Sequence, residues 1–171
     1  MIKNLINSHY KIINSFCCMP NTYSQIYLHF VFAVKGRLNL IAEHNREELQ
    51  KYITGIVTNR GQKMLSIYCM PDHTHALIGM KPSMLISDLV KDMKTGSSNF
   101  FNKNKWIRGN FNWQEGYGVF SHSKGNIDTV AKYITNQKEH HKKTTFRTEY
   151  LGLLKEHEIE YEEKYLFEWY D

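Results

Sequence analysis

The amino-acid sequence predicts an α+β fold: a ferredoxin-like (split β-α-β) sandwich with an antiparallel sheet, followed by an additional C-terminal helix. Three observations support this prediction. A run rich in aromatic and β-branched residues at 22–35 is typical of a long strand. Two later segments space their apolar residues as amphipathic helices do. Finally, the dipeptide Pro71-Asp72 is a turn signal between two short apolar runs, which indicates two neighbouring strands.

The first predicted helix follows the loop GRLNLIAEH. Asn45 is placed as its N-cap, with Glu48 three residues later as in a capping box. Gly61 is placed to end it. One face between these signals is apolar at helical spacing, through Leu49, Tyr52, Ile53, Ile56 and Val57. The segment is therefore predicted to be an amphipathic helix.

The remaining elements follow in order along the chain. The runs KMLSIYCM and HTHALIGM are predicted to be the second and third strands, and FNWQEGYGVFSHS the fourth. A second helix is expected to begin near Ser83, because one face stays apolar through Ile86, Leu89, Val90, Met93 and Phe100. Asn126 is placed to cap a third helix, NIDTVAKYITNQKEHHKK.

Size and composition fit a single compact domain. The chain has 171 residues, of which 42% are hydrophobic and 13% aromatic, enough to form a core. No segment approaches the roughly 20 consecutive apolar residues of a membrane span, and the N-terminal segment is too polar for a signal peptide. Cys17 and Cys18 are adjacent and Cys69 is alone, which suggests neither a disulfide framework nor a CxxC zinc site. We therefore expect a reduced, cytoplasmic protein without a membrane partner.

The charge is distributed unevenly along the chain. The net charge is +5, but the segment from Lys155 onward holds two Lys and seven Asp or Glu residues. The first 154 residues therefore carry 20 basic against 10 acidic side chains, a net charge of +10. A basic body with an acidic tail indicates a polyanionic partner, nucleic acid before membrane. The alternative is a Lys-rich solvated surface with no such partner.

Two histidines stand one residue apart in the stretch CMPDHTHALIGM. On a strand, His73 and His75 point to the same face, about 6.6 Å apart along the chain. Two imidazole nitrogens on one face can bind a single metal ion. The alternative is a pair of half-buried histidines that form hydrogen bonds with their neighbours.

The third predicted helix carries a tyrosine off its apolar stripe. The stripe consists of Ile127, Val130, Ala131 and Ile134. Tyr133 lies about 110° from the centre of that stripe, and Gln137 follows one turn later on the same face as Tyr133. A surface tyrosine is the simpler interpretation. However, a metal held by the two histidines and the Gln137 amide would activate a phosphodiester for attack by the Tyr133 hydroxyl.

The sequence resembles the single-tyrosine transposases of the HUH class, the small enzymes of the simplest bacterial insertion sequences and their repeat-associated relatives. The resemblance extends from Met19 to Phe167. It rests on the segments NTYSQIYLHFVFAVKGRL, MPDHTHALIGM, SDLVKDMKTGSSNFF, WQEGYGVFS, VAKYITNQKEHH and EYLGLLKEHEIEYEEKYLF. Each motif alone is weak, but together they are highly specific.

The resemblance implies a function for four residues. His73, His75 and Gln137 would bind Mg²⁺ or Mn²⁺, and Tyr133 would be the nucleophile. Enzymes of this family cleave and rejoin single-stranded DNA next to imperfect hairpins, leaving a 5′-phosphotyrosine and a free 3′-OH. They act as homodimers, and in some members the tyrosine helix completes the partner's site.

Some positions depart from the family pattern. Thr74 stands between the histidines where a hydrophobic residue is usual, and His122 occupies a position where an apolar residue is expected. His122 is interpreted as a strand histidine or, less simply, a DNA contact. Residues 1–18 have no counterpart and are expected to be a dispensable or mis-assigned extension, with a single transposase domain at 19–171.

Other polar residues near these motifs have open roles. His140 competes with Gln137 as the third ligand, although Gln137 is favoured because it lies closer to Tyr133 along the helix. His141, Lys142 and Lys143 are interpreted as a basic helix end. His29 is interpreted as a sheet histidine, and Asp72 either orients an imidazole or forms the turn.

Several residues are candidates for DNA contacts. The candidates are Lys35, Arg37, Lys91, Lys94, Ser98, Lys103, Lys105, Arg108 and Lys142. The aromatic residues Trp106, Trp113 and Tyr117 either stack on bases or belong to the core.

Three other functions remain as alternatives. One is a non-catalytic module that binds single-stranded nucleic acid, and another is a related HUH nickase. The third is a metal-dependent hydrolase using activated water, for which no carboxylate ligand or general base is expected to be well placed.

Overall fold

The computed structural model describes residues 23–169, which form one four-stranded antiparallel sheet and five α-helices. The strands are β1 (Ile26–Ala33), β2 (Lys63–Cys69), β3 (His73–Met80) and β4 (Gly118–His122). The helices are α1 (Glu43–Asn59), α2 (Ile86–Lys103), α3 (Ile127–Thr135), α4 (Gln137–His140) and α5 (Phe146–Glu156). The proposed extension at residues 1–18 lies outside the described residues.

The strand order is β2-β3-β1-β4, with every neighbouring pair antiparallel. Together with the element order, this agrees with the predicted split β-α-β class. Alternation along the strands assigns side chains to the two faces of the sheet. Phe30, Phe32 and Ile78 enter a core with α1 and α2, whereas Val31 and Leu77 face the other way, toward α3 and α5. The functional residues lie on this second face.

The start of α1 differs from the prediction. The helix begins at Glu43, and Ala42 rather than Asn45 is its N-cap residue. Asn45 is buried within the first turn, where its backbone N–H donates to the carbonyl of Ala42. The chain is already fixed before this point, because Ile41 is buried and its N–H donates to the carbonyl of Pro71. Gly61 follows the C-cap at φ 69°, a left-handed conformation that suits glycine, so the predicted end is confirmed.

The second helix and the fourth strand are both shorter than predicted. Helix α2 begins at Ile86, after a turn that the N–H of Met84 closes on the carbonyl of Lys81. Strand β4 covers only the last part of the predicted segment. The earlier part makes a single bridge between Trp113 and Val34 and is otherwise a loop.

The predicted long third helix is broken into two helices. Helix α3 ends at Thr135, whose hydroxyl donates back to the carbonyls of Ala131 and Lys132. Asn136 leaves the helical conformation, and the short helix α4 begins at the next residue. A further helix, α5, which the sequence analysis did not predict, then packs on the face of β1 and β4. The break matters because it brings residues 137–149 over the two strand histidines.

None of the helices within residues 23–169 has the length and hydrophobicity needed to cross a membrane.

Candidate active site

The two strand histidines occupy the centre of the face covered by α3, α4 and α5. In the sheet register, His73 pairs with Ala33 and His75 pairs with Val31. Both imidazoles are almost completely buried, with exposures of 1% and 0%. Thr74, between them, points to the opposite face, as strand alternation requires. The site is therefore an interior one, built where β1 and β3 meet the helical layer.

Three histidines around this centre are each held through Nδ1. The hydrogen-bonded pairs are His73 Nδ1 with Asp72 Oδ1 (2.7 Å), His75 Nδ1 with His29 Nε2 (2.9 Å) and His141 Nδ1 with the Thr144 carbonyl oxygen (2.9 Å). An imidazole anchored through Nδ1 presents a fixed Nε2 to its surroundings. This arrangement is typical of metal-binding histidines.

The three Nε2 atoms converge on one carboxylate oxygen, Oε2 of Glu149. The distances to it are 3.9 Å from His73, 3.4 Å from His75 and 3.0 Å from His141. Among the described residues, none of these four atoms has an aligned hydrogen-bond partner, although all are buried. One ligand atom from each of the four residues lies within 4.8 Å of the others. Buried polar atoms without partners are costly, so this group fits a metal ion well.

Tyr133 and Gln137 contact the same carboxylate from its other side. The Tyr133 hydroxyl and the Gln137 amide nitrogen both donate hydrogen bonds to Oε1 of Glu149, the second at 2.7 Å. The Tyr133 ring lies 6.1 Å from the ring of His75 and perpendicular to it. The structure thus brings His73, His75, Tyr133 and Gln137 together within one chain, around Glu149.

The charges of the site favour an ionised Glu149 and a protonated Tyr133. Burial alone raises the pKa of Glu149, but the surrounding groups, His75 foremost and then His141 and Tyr133, bring that pKa well below its usual range. Burial, and then the negative charge of Glu149, raise the pKa of Tyr133 well above its usual value. The phenol is therefore a hydrogen-bond donor in this state rather than a phenolate.

Burial also keeps His73 and His29 neutral. It lowers the pKa of His73 to about 4, even though the hydrogen bond to Asp72 acts in the opposite direction. It likewise lowers the pKa of His29 well below the usual value, with the neighbouring His75 contributing. Neutral imidazole is the form that binds metal ions, so His73 is ready to act as a ligand at neutral pH.

Asp72 belongs to a chain of contacts that supports His73. Arg37 donates to Oδ2 of Asp72 through Nε at 2.9 Å and also through Nη2. The Phe146 ring is stacked between the Arg37 guanidinium, 4.3 Å from its centroid, and the His73 ring, 4.1 Å away. Asp72 therefore makes the contact expected of a residue that orients an imidazole, and it also lies in the turn before β3.

Glu149, the residue at the middle of the site, was not among the residues predicted from the sequence. The expectation that no carboxylate would be well placed is wrong, because Glu149 lies against both strand histidines. A signal was present in the sequence. Residues Phe146, Tyr150, Leu153 and Leu154 form an apolar helical stripe, and Glu149 falls on the same stripe. A carboxylate on the buried face of a helix requires a partner.

The role expected for His141 was also too simple. It was interpreted as part of a basic helix end, but its ring is partly buried and faces the Glu149 carboxylate. His140 lies further out, with 31% of its side chain exposed and Nε2 at 3.6 Å from Oε1 of Glu149. His29 is a sheet histidine, as interpreted, and holds His75. His122 lies on β4 with its ring 5.9 Å from that of His29.

Three of the candidate DNA contacts are engaged within the protein, among them Lys142, whose ammonium group pairs with Glu139. Arg37 is paired with Asp72 as described above, and Lys94 donates to the backbone carbonyls of Gln114 and Gly116. Lys91, Lys94 and Ser98 lie on α2, which packs on the opposite face of the sheet from the site. Lys35, Lys103, Lys105 and Arg108 are exposed.

Basic residues surround the entrances to the site. One cavity of about 500 Å³ is lined by Arg37, His73, His141, Lys142 and Lys143, among others. A second, of about 470 Å³, is lined by Lys132, Tyr133, His140, Lys142 and Lys143, among others. Lys142 is exposed and pairs with Glu139 at 2.8 Å. The segment at 142–144 lies between the two cavities, so its lysines border both approaches.

Comparisons with known proteins agree in sequence and in fold. The model of the family described as Transposase IS200 like matches residues 22–137. A curated relative, the ISDra2 transposase TnpA of Deinococcus radiodurans, is 27% identical over 119 residues, which cover 66% of this chain and 84% of the relative.

Two solved structures have a similar fold. One, from Deinococcus radiodurans R1, is described as a candidate transposase. It has a TM-score of 0.54 and 26% identity, with 68% of this chain and 94% of that chain covered. The other is a REP-associated tyrosine transposase bound to a REP hairpin, with a TM-score of 0.54, 14% identity, and coverage of 70% and 71%. The second likeness concerns the fold alone, and it confirms the predicted α+β class.

Proposed function

This chain belongs to the IS200-like transposase family, and we propose that it cleaves and rejoins single-stranded DNA through a covalent 5′-phosphotyrosine on Tyr133. The observation that carries this proposal is the position of the Tyr133 hydroxyl. It donates to the same carboxylate that the Nε2 atoms of His73 and His75 face. A phosphate bound at this centre is therefore within reach of both the nucleophile and the metal-binding histidines.

In the proposed reaction, the phenolic oxygen of Tyr133 attacks the phosphorus of one phosphodiester. The bond from phosphorus to the 3′-oxygen breaks, and that oxygen leaves and takes a proton from water. The hydroxyl proton of Tyr133 faces Oε1 of Glu149, which is the group in place to accept it as the new bond forms. Attack by a free 3′-OH on the tyrosyl ester reverses these steps and rejoins the strand without another energy source.

The metal requirement follows from the same residues. His73 and His75 would hold a divalent cation, Mg²⁺ or Mn²⁺, together with Gln137 as the resemblance implies. When bound, the cation supplies Lewis-acid polarisation of a phosphodiester oxygen, worth several kcal/mol of barrier. The protein prepares for this role by keeping His73 neutral and anchored by Asp72.

We propose that the substrate is DNA with hairpin ends and that the protein acts as a homodimer in the cytoplasm. A structural neighbour was solved bound to a REP hairpin, and the basic body of the chain suits a phosphate backbone. Lys142 and Lys143 border both cavities at the site. Because Tyr133 and the histidines meet within one chain, we propose that the tyrosine acts on the site of its own subunit.

One alternative is favoured by a specific observation. Glu149 supplies a carboxylate that a metal-dependent hydrolase using activated water would need. Such an enzyme would cut the same DNA but would leave no protein attached to it. The experiment below separates the two functions, and it also separates both from a module that only binds DNA.

The test uses a 3′-labelled single-stranded oligonucleotide that carries the hairpin and flank found next to the gene. Full-length protein is incubated with it and Mn²⁺, then run on a denaturing gel. We expect a labelled band at the mass of the protein plus the cleaved strand. Tyr133→Phe should abolish this band and keep hairpin binding, whereas the control Tyr117→Phe, at a half-exposed tyrosine before β4, should keep both. Free cleaved DNA without the band would indicate the hydrolase, and an unchanged band in Tyr133→Phe would refute the assignment.

A further inference from the structure

We propose that His73, His75, His141 and Glu149 form a complete four-ligand metal site, which binds Mn²⁺, Co²⁺ or Zn²⁺ more tightly than Mg²⁺. This inference deepens the proposed function, because it concerns the same centre. It differs from the resemblance in the ligand set. His141 and Glu149 take the place assigned to Gln137, which becomes a positioning residue.

The orientation of the imidazoles supports this ligand set. All three histidines engage Nδ1 with another group, at 2.7 Å or 2.9 Å. Metal-binding histidines have this pattern, since the contact to the far nitrogen fixes the ring for coordination by the near one. A histidine kept only for packing has no need to direct its second nitrogen into the same small space as two others.

Four buried atoms of the site that lack an aligned hydrogen-bond partner among the described residues also support it. Three Nε2 atoms and Oε2 of Glu149 face one another at 3.0–3.9 Å, without hydrogen-bond alignment among the described residues. Two of these imidazoles are at most 1% exposed. A metal cation can accept a lone pair from all four atoms at once. Moving protons among these atoms does not satisfy all four of them together.

Gln137 lies where it orients Glu149 through its amide nitrogen. Its amide presents nitrogen, not oxygen, to Glu149, donating to Oε1 at 2.7 Å. The Tyr133 hydroxyl donates to the same oxygen. These two hydrogen bonds engage Oε1 of the carboxylate. Its other oxygen, Oε2, faces the Nε2 atoms of the three histidines. Glu149 therefore connects the metal ligands to the nucleophile through its two oxygens.

The composition of the set indicates the class of ion. Three imidazoles suit Zn²⁺ and neighbouring transition metals such as Co²⁺, and the carboxylate also suits Mn²⁺. Magnesium prefers oxygen ligands in octahedral geometry and gives up its water molecules reluctantly. A site supplying one oxygen and three nitrogens from within a buried face is therefore poorly matched to Mg²⁺.

The experiment measures metal binding without DNA. The full chain is stripped with a chelator and titrated with Co²⁺, with the absorption of the Co²⁺ complex and its titration heat as readouts. The wild type should bind one Co²⁺ at least about 100-fold more tightly than Mg²⁺, from the donor preferences. His141→Ala and Glu149→Gln should each weaken Co²⁺ binding by at least about 100-fold, because losing a ligand should cost no less than the upper range for losing a group that only supports one.

Matched variants separate this proposal from its alternatives. His140→Ala removes the neighbouring histidine and should change Co²⁺ affinity by less than about 3-fold. Gln137→Ala should weaken it by only about 10-fold, the lower range for a positioning residue. Circular dichroism checks the fold, and Glu149→Asp replaces Glu149→Gln if the latter does not fold.

Two results would overturn the four-ligand set. One is Co²⁺ affinity unchanged in His141→Ala. The other is a larger loss in Gln137→Ala than in His141→Ala. Neither result depends on DNA cleavage, so the covalent band described above tests the proposed function separately.

Discussion

Replacing Asp72 by Asn should destabilise the protein markedly, because Asp72 joins Arg37 to His73. Asn keeps the shape of the side chain and removes its charge. The two charged side chains are only 12% and 15% exposed, so the guanidinium would be left unpaired in a poorly solvated place. Breaking such a pair costs several times more than breaking one on the surface.

The magnitude follows from the pKa of Asp72. Burial raises this pKa, but the hydrogen bond and charge of His73 and then the charge of Arg37 lower it from 3.8 to about 2. At about 1.4 kcal/mol per pKa unit, this difference corresponds to at most about 2.5 kcal/mol of folding free energy. At pH 7 His73 is neutral, so the part that comes from its charge is absent, and the hydrogen bond to His73 and the charge of Arg37 remain. For a domain of this size, the fall in the melting temperature is therefore at most roughly 5–10 °C.

The pH dependence has a defined sign. Because the pKa of Asp72 is lower in the folded protein than in the unfolded chain, its contribution is present above about pH 4. It is lost as the pH falls through about 2. The difference in unfolding free energy between wild type and Asp72→Asn should therefore be constant near neutral pH and shrink in acid.

The assay is urea unfolding at several pH values, followed by circular dichroism. Glu47→Gln is the control, since it removes only an exposed pair with Lys51 and should leave the midpoint unchanged. Arg37→Gln combined with Asp72→Asn completes a double-mutant cycle, which should show strong coupling. Additive effects, or a midpoint for Asp72→Asn equal to that of wild type at pH 7, would refute the reasoning.

Three further perturbations test other parts of the structure. Ser97→Ala removes the hydroxyl that accepts from the buried Trp113 indole N–H at 2.8 Å. The unfolding free energy measured by urea titration should fall by about 1–3 kcal/mol. An unchanged urea midpoint would contradict this contact. Gly118→Ala places a methyl group 2.8 Å from the Tyr150 ring and should cost about 1–3 kcal/mol. Gly55 lies in the middle of α1, and a methyl group added there meets no atom within 4 Å. Gly55→Ala should therefore stabilise the protein by up to about 1 kcal/mol. A melting temperature higher for Gly118→Ala than for Gly55→Ala would contradict the packing described here. Lys142→Ala and Lys143→Ala should each reduce the salt slope of single-stranded DNA binding by about 1, measured by fluorescence anisotropy. Lys91→Ala, on the opposite face of the sheet, should not, and an equal effect at Lys91 would move the DNA path away from the site.

The strand and helix periodicities explain why part of the site was predictable from the sequence. Alternation on β3 places His73 and His75 on one face, and the helical repeat places Gln137 one turn after Tyr133. Both rules are local. The structure follows the first, whereas the helix breaks at Asn136, and Tyr133 and Gln137 come together through their shared contact with Glu149. The amphipathic stripes of α1 and α2 were also recognisable, since burial of one face needs no knowledge of the partner.

The rest of the site depends on contacts between distant segments. The break at Asn136 and the return of the chain through α5 bring Glu149 to the histidines. No local sequence pattern predicts that these residues lie close together. Arg37 was interpreted as a candidate DNA contact, as one of several basic residues of a basic chain. Its pairing with Asp72, 35 residues later, follows from the sheet register. Charged residues are ambiguous in a sequence for this reason.

The most direct test of the central claim is to identify the residue that becomes linked to DNA. After reaction with the hairpin oligonucleotide and nuclease digestion, trypsin should release the peptide at 133–138, YITNQK, with a single tyrosine. The account predicts that this peptide carries the added nucleotide mass, on Tyr133 alone among the eleven tyrosines of the chain. Nucleotide mass on a peptide that lacks Tyr133 would contradict it.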